Sequence, residues 1–388
     1  MASISQDITK APPEVLAMLA SMPAITPPNG TIPNFVDPYS KGPTQIIVTS
    51  IILGLVVIFF CNRAYVKLWL MKKLSWDDAT ILIAMLGSLA YYIACTWGVE
   101  RGGIGKHQWD ISVVQATKMD LLVPSWLIAV LTPLTFLFLK TTFFILYLSL
   151  FDQLRWARLC SWFGLVVTAL TYSVLAICVF VFATPRRGET WFAHQTTPAE
   201  KRTLQLSVPQ SIIGLIIDLY ILLIPVIGVS GLKLSLKRKI GVILIFLSGT
   251  MACVCSACSI YYRVMLDNSK DTTYALIPVN ISTLCEMFVG VICACMPSAA
   301  YAARQKNSMY QKVVATVSTF KTSWLTSENT DSQPQTEKNE THPTQDVLKS
   351  TDRKYAQYFS LDELATTTSS VDQKSSLGND SLRSESVV

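Results

Sequence analysis

The apolar residues of this chain arrive in seven unbroken blocks of roughly 20, each long enough for a helix rising 1.5 Å per residue to cross a hydrocarbon core about 30 Å thick. Lipid offers a backbone amide no water to bond to, so a crossing segment must satisfy its own hydrogen bonds as a helix or join a closed barrel. Long runs without alternation select helices. The composition agrees: 51% hydrophobic and only 15% charged residues, with a mean hydropathy of +0.40, exclude a soluble enzyme of 388 residues. The expected fold is therefore all-α: a polytopic membrane protein with seven transmembrane helices in contact with the lipid bilayer, and no nucleic-acid partner.

The blocks fall at about 44–65, 75–97, 120–151, 159–183, 206–229, 240–262 and 274–297. Residues 1–43 are rich in proline and form an extended or mobile arm, too polar and too acidic at Glu14 for a secretory signal core. Asn29-Gly30-Thr31 in that arm is an N-glycosylation acceptor if the arm faces the lumen. Residues 44–300 form the seven-helix domain. In 301–325, Tyr310, Val313, Val317, Phe320 and Trp324 recur at helical spacing with Lys312 and Lys321 between them, the pattern of a segment lying along the inner leaflet. Residues 326–388 are Ser/Thr-rich, too polar to build a core, and suited to a kinase or a signalling partner.

Orientation follows from Lys and Arg in short loops. Arg63, Lys67, Lys72 and Lys73 follow the first block, and Lys233, Lys237, Arg238 and Lys239 follow the fifth. Both clusters are cytosolic when the amino terminus is outside and the carboxyl terminus is cytosolic, which also exposes Asn29 to the lumen.

Three charges stand near the middle of the blocks: Lys140, Asp218 and Glu286. A bare carboxylate at the centre of a bilayer costs at least about 2.5 kcal/mol, so each must face protein and find a partner. All three lie near the middle of helices running in the same direction, so one cation and two carboxylates can meet in the core. The set serves either as a polar clasp that fixes packing or as a switch or proton-linked site. At Ser75-Trp76-Asp77-Asp78 the spacing is that of a capping box, placing Asp77 and Asp78 at the positive end of a helix, with contact to a cytosolic partner as the alternative role.

The connection 98–118 contains Gly102, Gly103 and Gly105 before Lys106 but lacks the spacing and hydroxyl of a phosphate loop. It is read as a tight turn that presents His107 and Trp109 at the membrane surface, where they are ligand candidates together with Arg263 at the outer end of the sixth block. Ten cysteines lie in or at the ends of the helices. Cys253, Cys255 and Cys258 do not share a face and have no histidine nearby, so no metal site is expected, and Cys95 and Cys178 leave room for one disulfide.

Taken in order, Trp76-Asp77-Asp78, the Gly103 to His107 stretch with Trp109-Asp110, Phe138 to Lys140, Tyr147 to Phe151, Asp218 to Pro225, Tyr262-Arg263 and Glu286 to Pro297 resemble the fungal rhodopsin-domain family of seven-helix membrane proteins. The resemblance covers about 45–300. It implies a receptor-like protein, in some members encoded beside secondary-metabolite genes. The chain departs from the family pattern where it has no cysteine before Cys61, no cysteine between 184 and 205, Gly214 in place of the usual Asn, and Ser149 in place of an Arg. The seventh block contains no Lys, so a retinal Schiff base has no attachment point and no cofactor is expected. Neither an Asp-Arg-Tyr after the third block nor an Asn-Pro-x-x-Tyr in the seventh is present, so coupling to a G protein is not implied. The expected role is a receptor-like or accessory protein that meets a small-molecule or surface ligand and is no enzyme by default. The alternatives are an integral membrane cyclase using Glu286 or Asp218 as general acid, and a transporter.

Overall fold

The structure, a computed structural model, describes residues 12–151, 154–195, 197–230 and 236–304, with side chains described for these apart from 228–230, 236–248 and 303–304. Most of the expected inner-leaflet segment, the tail 326–388, Lys233, and the side chains of Lys237, Arg238 and Lys239 lie outside the described residues. Contacts divide the chain into Met1–Pro297 and Ser298–Val388, and the architecture below is that of the first unit.

Ten α-helices are present among the described residues: α1 Pro13–Ala20, α2 Gly42–Tyr65, α3 Trp76–Trp97, α4 Val113–Ala116, α5 Met119–Leu150, α6 Arg155–Ala183, α7 Trp191–Gln195, α8 Pro198–Ser230, α9 Leu236–Asp267 and α10 Thr272–Arg304. Strands are absent among these residues, where only isolated bridges occur. Seven helices, α2, α3, α5, α6, α8, α9 and α10, are long and apolar enough to span a membrane. Several outrun their apolar blocks: α8 begins at Pro198 rather than near 206, because an intrahelical ladder continues past the hydrocarbon wherever its polar side chains can be hydrated. Wide-turn π segments, Val66–Met71 and Gly98–Gly102, extend α2 and α3 and end in left-handed Lys72 and Gly103.

Burial sorts the helices into a centre and a ring. Half of the apolar window of α5 and 67% of that of α10 are buried, against 17% for α2. On α2 the exposed residues Ile47, Ile51, Leu55 and Ile58 recur every three or four positions, a stripe for lipid chains rather than for water. The centre is tight because glycines let backbones approach α5 from two sides. A Cβ on Gly87 of α3 would lie 2.6 Å from Thr135 Oγ1, and one on Gly290 of α10 would lie 2.6 Å from Leu139 Cδ2.

At the end of the bundle that carries the 72–75 turn, Ser75 and Asp78 form the expected capping box, with the Ser75 amide donating to Asp78 Oδ2 at 3.0 Å. The two acids do more than cap. Arg63 of α2 donates from Nη2 to Asp77 Oδ2 at 2.5 Å and to Asp78 Oδ1 at 2.7 Å, and from Nη1 to the Ala294 carbonyl of α10 at 2.6 Å. Lys67 adds a contact to Asp78 Oδ2 at 3.1 Å. One guanidinium thus joins α2, α3 and α10, with Arg63 and Asp77 almost wholly buried. Asp77→Ala would leave that cation without its closest anion and is expected to cost about 3–5 kcal/mol, read as a loss of thermal stability of the purified protein in detergent.

Candidate functional site

Lys140, Asp218 and Glu286 are brought to one place, and a fourth residue joins them. Lys140 on α5 forms an ion pair with Asp218 Oδ1 on α8 and donates to the Gly214 carbonyl one turn earlier at 3.1 Å. Ser256 Oγ on α9 lies 2.6 Å from Asp218 Oδ2 and 2.9 Å from Glu286 Oε1 on α10. Ser256 is therefore the link between the two carboxyl groups. A hydroxyl has one hydrogen and can donate to only one of them at a time, so a proton held by either carboxyl completes the set. Four helices are joined through one chain of polar contacts. Hydropathy cannot single out Ser256 among the serines of a membrane helix. The signal available was indirect: two carboxylates at one depth need a donor between them.

Gly214 leaves room for a neighbour: a Cβ there would sit 3.2 Å from the hydroxyl of the buried Tyr172. Tyr172, Gly214, Glu286, Gln210 and Arg263 enclose a space of about 10 Å³, the room of about one water.

Arg263 stands between this space and a much larger one. It lies one turn from the end of α9 and could send its charge out along the helix, as long cationic side chains near membrane surfaces do. Instead it turns inward. Nε donates to Ser259 Oγ at 3.3 Å, Nη1 to Ser207 Oγ on α8 at 2.6 Å and Nη2 to Thr283 Oγ1 on α10 at 2.8 Å. Arg263 is 8% exposed and has no ion-pair partner among the described residues. Beside it opens a cavity of about 310 Å³, with Tyr91, Thr132, Gln210 and Asn280 at the buried end and Gln108, Gln195, Glu200 and Thr272 toward the loops. The buried Asn280 accepts from the Tyr91 hydroxyl through Oδ1 at 3.2 Å, while its Nδ2 has no partner.

The loops form a roof. Left-handed Gly103 and Gly105 make the expected tight turn. His107 is stacked between Trp109 and Tyr274, with ring centroids at 4.4 and 3.9 Å, and its Nδ1 lies 2.6 Å from Asp271 Oδ2. His107 and Trp109 thus pin the loop to the start of α10, and the residue between them, Gln108, is the one that lines the cavity. The proline-rich arm is tied to the same loop. The Ala24 amide donates to the Ile111 carbonyl at 2.8 Å, the Val113 amide to Met22 at 3.0 Å and the Lys41 amide to Gly105 at 3.0 Å, while Lys41 Nζ lies 4.2 Å above the Tyr274 ring. Asn29 is exposed beside a turn closed by the Thr31 amide and the Pro28 carbonyl. Cys95 and Cys178 are free thiols, not bridged to each other. Among the described residues there is no cluster of His, Cys, Asp and Glu fit to hold a metal.

On the 184–197 connection, Glu189 accepts from the Arg186 amide at 3.2 Å and its Oε2 lies 3.1 Å from Nδ1 of the buried His194. The backbone hydrogen bond from Arg186, followed by the contact to His194, holds the Glu189 carboxyl below its ordinary range.

Comparison with known proteins places this geometry in context. The fungal rhodopsin domain matches residues 62–305, an interval that includes the charge cluster, Arg263 and the 98–118 loop but not the arm. A protein of Gibberella zeae named fugralins biosynthesis cluster protein 2 is 27% identical over 293 residues, covering 71% of this chain and 69% of that protein. A SAT4 family membrane protein of Emericella nidulans is 25% identical over 231 residues, covering 58% of this chain and 56% of its own length.

Two outcomes follow from the site. Lys140→Met leaves Asp218 without its cation and is expected to lose about 3–5 kcal/mol of stability, whereas Lys140→Met combined with Asp218→Leu recovers most of it. Thermal unfolding of the two purified variants beside the wild type would show additive losses if the pair were not coupled. Because the Glu189 carboxyl is more acidic in the folded loop, its contribution is present above the ordinary glutamate range and fades as pH falls through the depressed value. The protection of the Arg186 amide against hydrogen exchange, corrected for intrinsic rate, should decrease over that descent in the wild type and stay flat in Glu189→Gln.

Proposed function

Because the chain belongs to the fungal rhodopsin domain family, we propose that it is a receptor-like or accessory membrane protein, one that admits a small molecule to the cavity beside Arg263 and serves a secondary-metabolite pathway. The observation that carries this reading is the position of Arg263 and Gln210, which line both the 310 Å³ cavity and the small space shared with Glu286. A molecule that draws on Arg263 changes the field at Glu286, and through Ser256 reaches Asp218 and Lys140. These five residues lie on four helices, so a local event is felt by α5, α8, α9 and α10 together. The name of the Gibberella zeae relative, a biosynthesis cluster protein, supports the pathway setting.

We place the loop face outside and the 72–75 turn in the cytosol. Lys72 and Lys73, the sequon at Asn29 and the hydroxylated tail favour that topology. The tail 326–388 is then the segment open to a kinase or a signalling partner. A cyclase would need Glu286 or Asp218 in a space of substrate size, and these residues line spaces of about 10 and 40 Å³. That contrast favours binding over catalysis.

A strain lacking the gene, compared with one carrying Glu286→Gln, tests the reading. Sensing predicts that a block of transcripts falls together in both. One missing product with accumulated precursor and level transcripts would replace it with a catalytic or transport role.

A further inference from the structure

The cavity beside Arg263 has a chemical signature that narrows its ligand. Resting on the reading of that cavity as a ligand site, we infer that it takes a small amphipathic monocarboxylate, with the carboxylate seated at Arg263 and Asn280 and the remainder directed toward the loops.

The argument begins with unused donors. A guanidinium carries five N–H groups. Three of those of Arg263 are taken by the hydroxyls of Ser259, Ser207 and Thr283, all neutral; Glu286 borders the same small space but makes no direct contact with the guanidinium, so no anion is bonded to it. Two N–H groups remain, one on each terminal nitrogen, a fork that suits the two oxygens of a carboxylate. The Asn280 amide nitrogen is a second, independent sign. It is fully buried and has no partner, although the amide oxygen is engaged by Tyr91, and Asn280 is one of the residues lining the same cavity. A buried donor left unmade is costly, and a buried cation with no anion in contact is costlier still. Both deficits are removed by one group with two acceptor oxygens and one negative charge.

The rest of the lining sets the remainder of the ligand. Between the buried end and the loops the wall is Ile104, Leu121, Ile128 and Leu276, which suits an apolar body. Glu200 then enters the lining from the first turn of α8, seven residues or about 10 Å of helix before Ser207. Its carboxylate opposes a second acidic group at that end. The cavity volume, about 310 Å³, is that of a small-molecule site rather than of a lipid with two chains.

The test uses the full chain in nanodiscs of zwitterionic lipid, with octanoate, octanamide and octanedioate as probes and saturable thermal stabilisation as the readout. Octanoate is expected to bind at least tenfold more tightly than octanamide, and Arg263→Gln to abolish that preference. Glu200→Gln, a half-buried position, is expected to fold normally and to bring octanedioate within a few-fold of octanoate, which the wild type refuses. If octanoate and octanamide bind equally, or the preference for octanoate survives in Arg263→Gln, the carboxylate assignment is overturned while the ligand site stands. If none of the three binds saturably, the ligand-site reading falls and takes this inference with it. Should Arg263→Gln fail to fold, the octanoate to octanamide ratio in the wild type and the Glu200→Gln response decide the matter.

Discussion

A charge inside a bilayer must be answered by another group of the same protein, and the ion pair between Lys140 and Asp218 is the answer on which this bundle depends. Each residue alone is a liability in lipid. Together they fix the register of α5 against α8 to within a turn, since a shift of one turn would carry the ammonium away from both Asp218 and the Gly214 carbonyl. Ser256 and Glu286 extend the constraint to α9 and α10. Lipid supplies little force to hold helices together, so such contacts and close packing carry the association. The glycines at 87 and 290 act in the same direction, letting α3 and α10 lie close against the helix that bears Lys140.

The two arginines on opposite faces of the domain illustrate how the same side chain is used for different ends. Arg63 is answered by two aspartates, and the surplus donor goes to a carbonyl of α10. That is a closed account of charge, suited to holding three helices together. Arg263 donates to hydroxyls alone and borders open space. Its buried position is costly for a residue one turn from a helix end, and its bonds to Ser207 and Thr283 join α9 to α8 and α10. The contrast is between an arginine paired with carboxylates and one held by hydroxyls beside a cavity.

Much of the fold was legible because hydrophobic length is a coarse signal that lipid makes strict. The seven spans, the capping box at Ser75 and Asp78, the turn at Gly103 and Gly105, and the meeting of Lys140, Asp218 and Glu286 all follow from spacing and from the cost of charge in lipid. Helix ends were less legible, as at Pro198, because a helix does not stop where its apolar residues do. The site was legible only in part. Arg263 was visible as a charge at the end of an apolar block, but its inward turn depends on Ser207 and Thr283, which are distant in sequence and unremarkable in type. Asn280 and Ser256 gave no sequence signal, since a single amide or hydroxyl in a membrane helix more often bonds its own backbone. His107 and Trp109 drew notice by residue type, while Gln108 between them reaches the cavity, an alternation that only a backbone path can decide.

The roof of the cavity is made from the two extremes of the seven-helix domain. Lys41, ahead of the first span, lies over Tyr274, at the start of the last, and the loop carrying His107 is clasped to Asp271 beside it. During synthesis the arm and the loop therefore emerge long before the strip of chain that fastens them. The cavity cannot exist as a vestibule of the early helices, since α10 supplies part of its wall. The helix that completes the wall also delivers Glu286 to Ser256. Completion of the chamber and completion of the charge chain are one event in the life of the molecule, so quality control that inspects either would in effect inspect both.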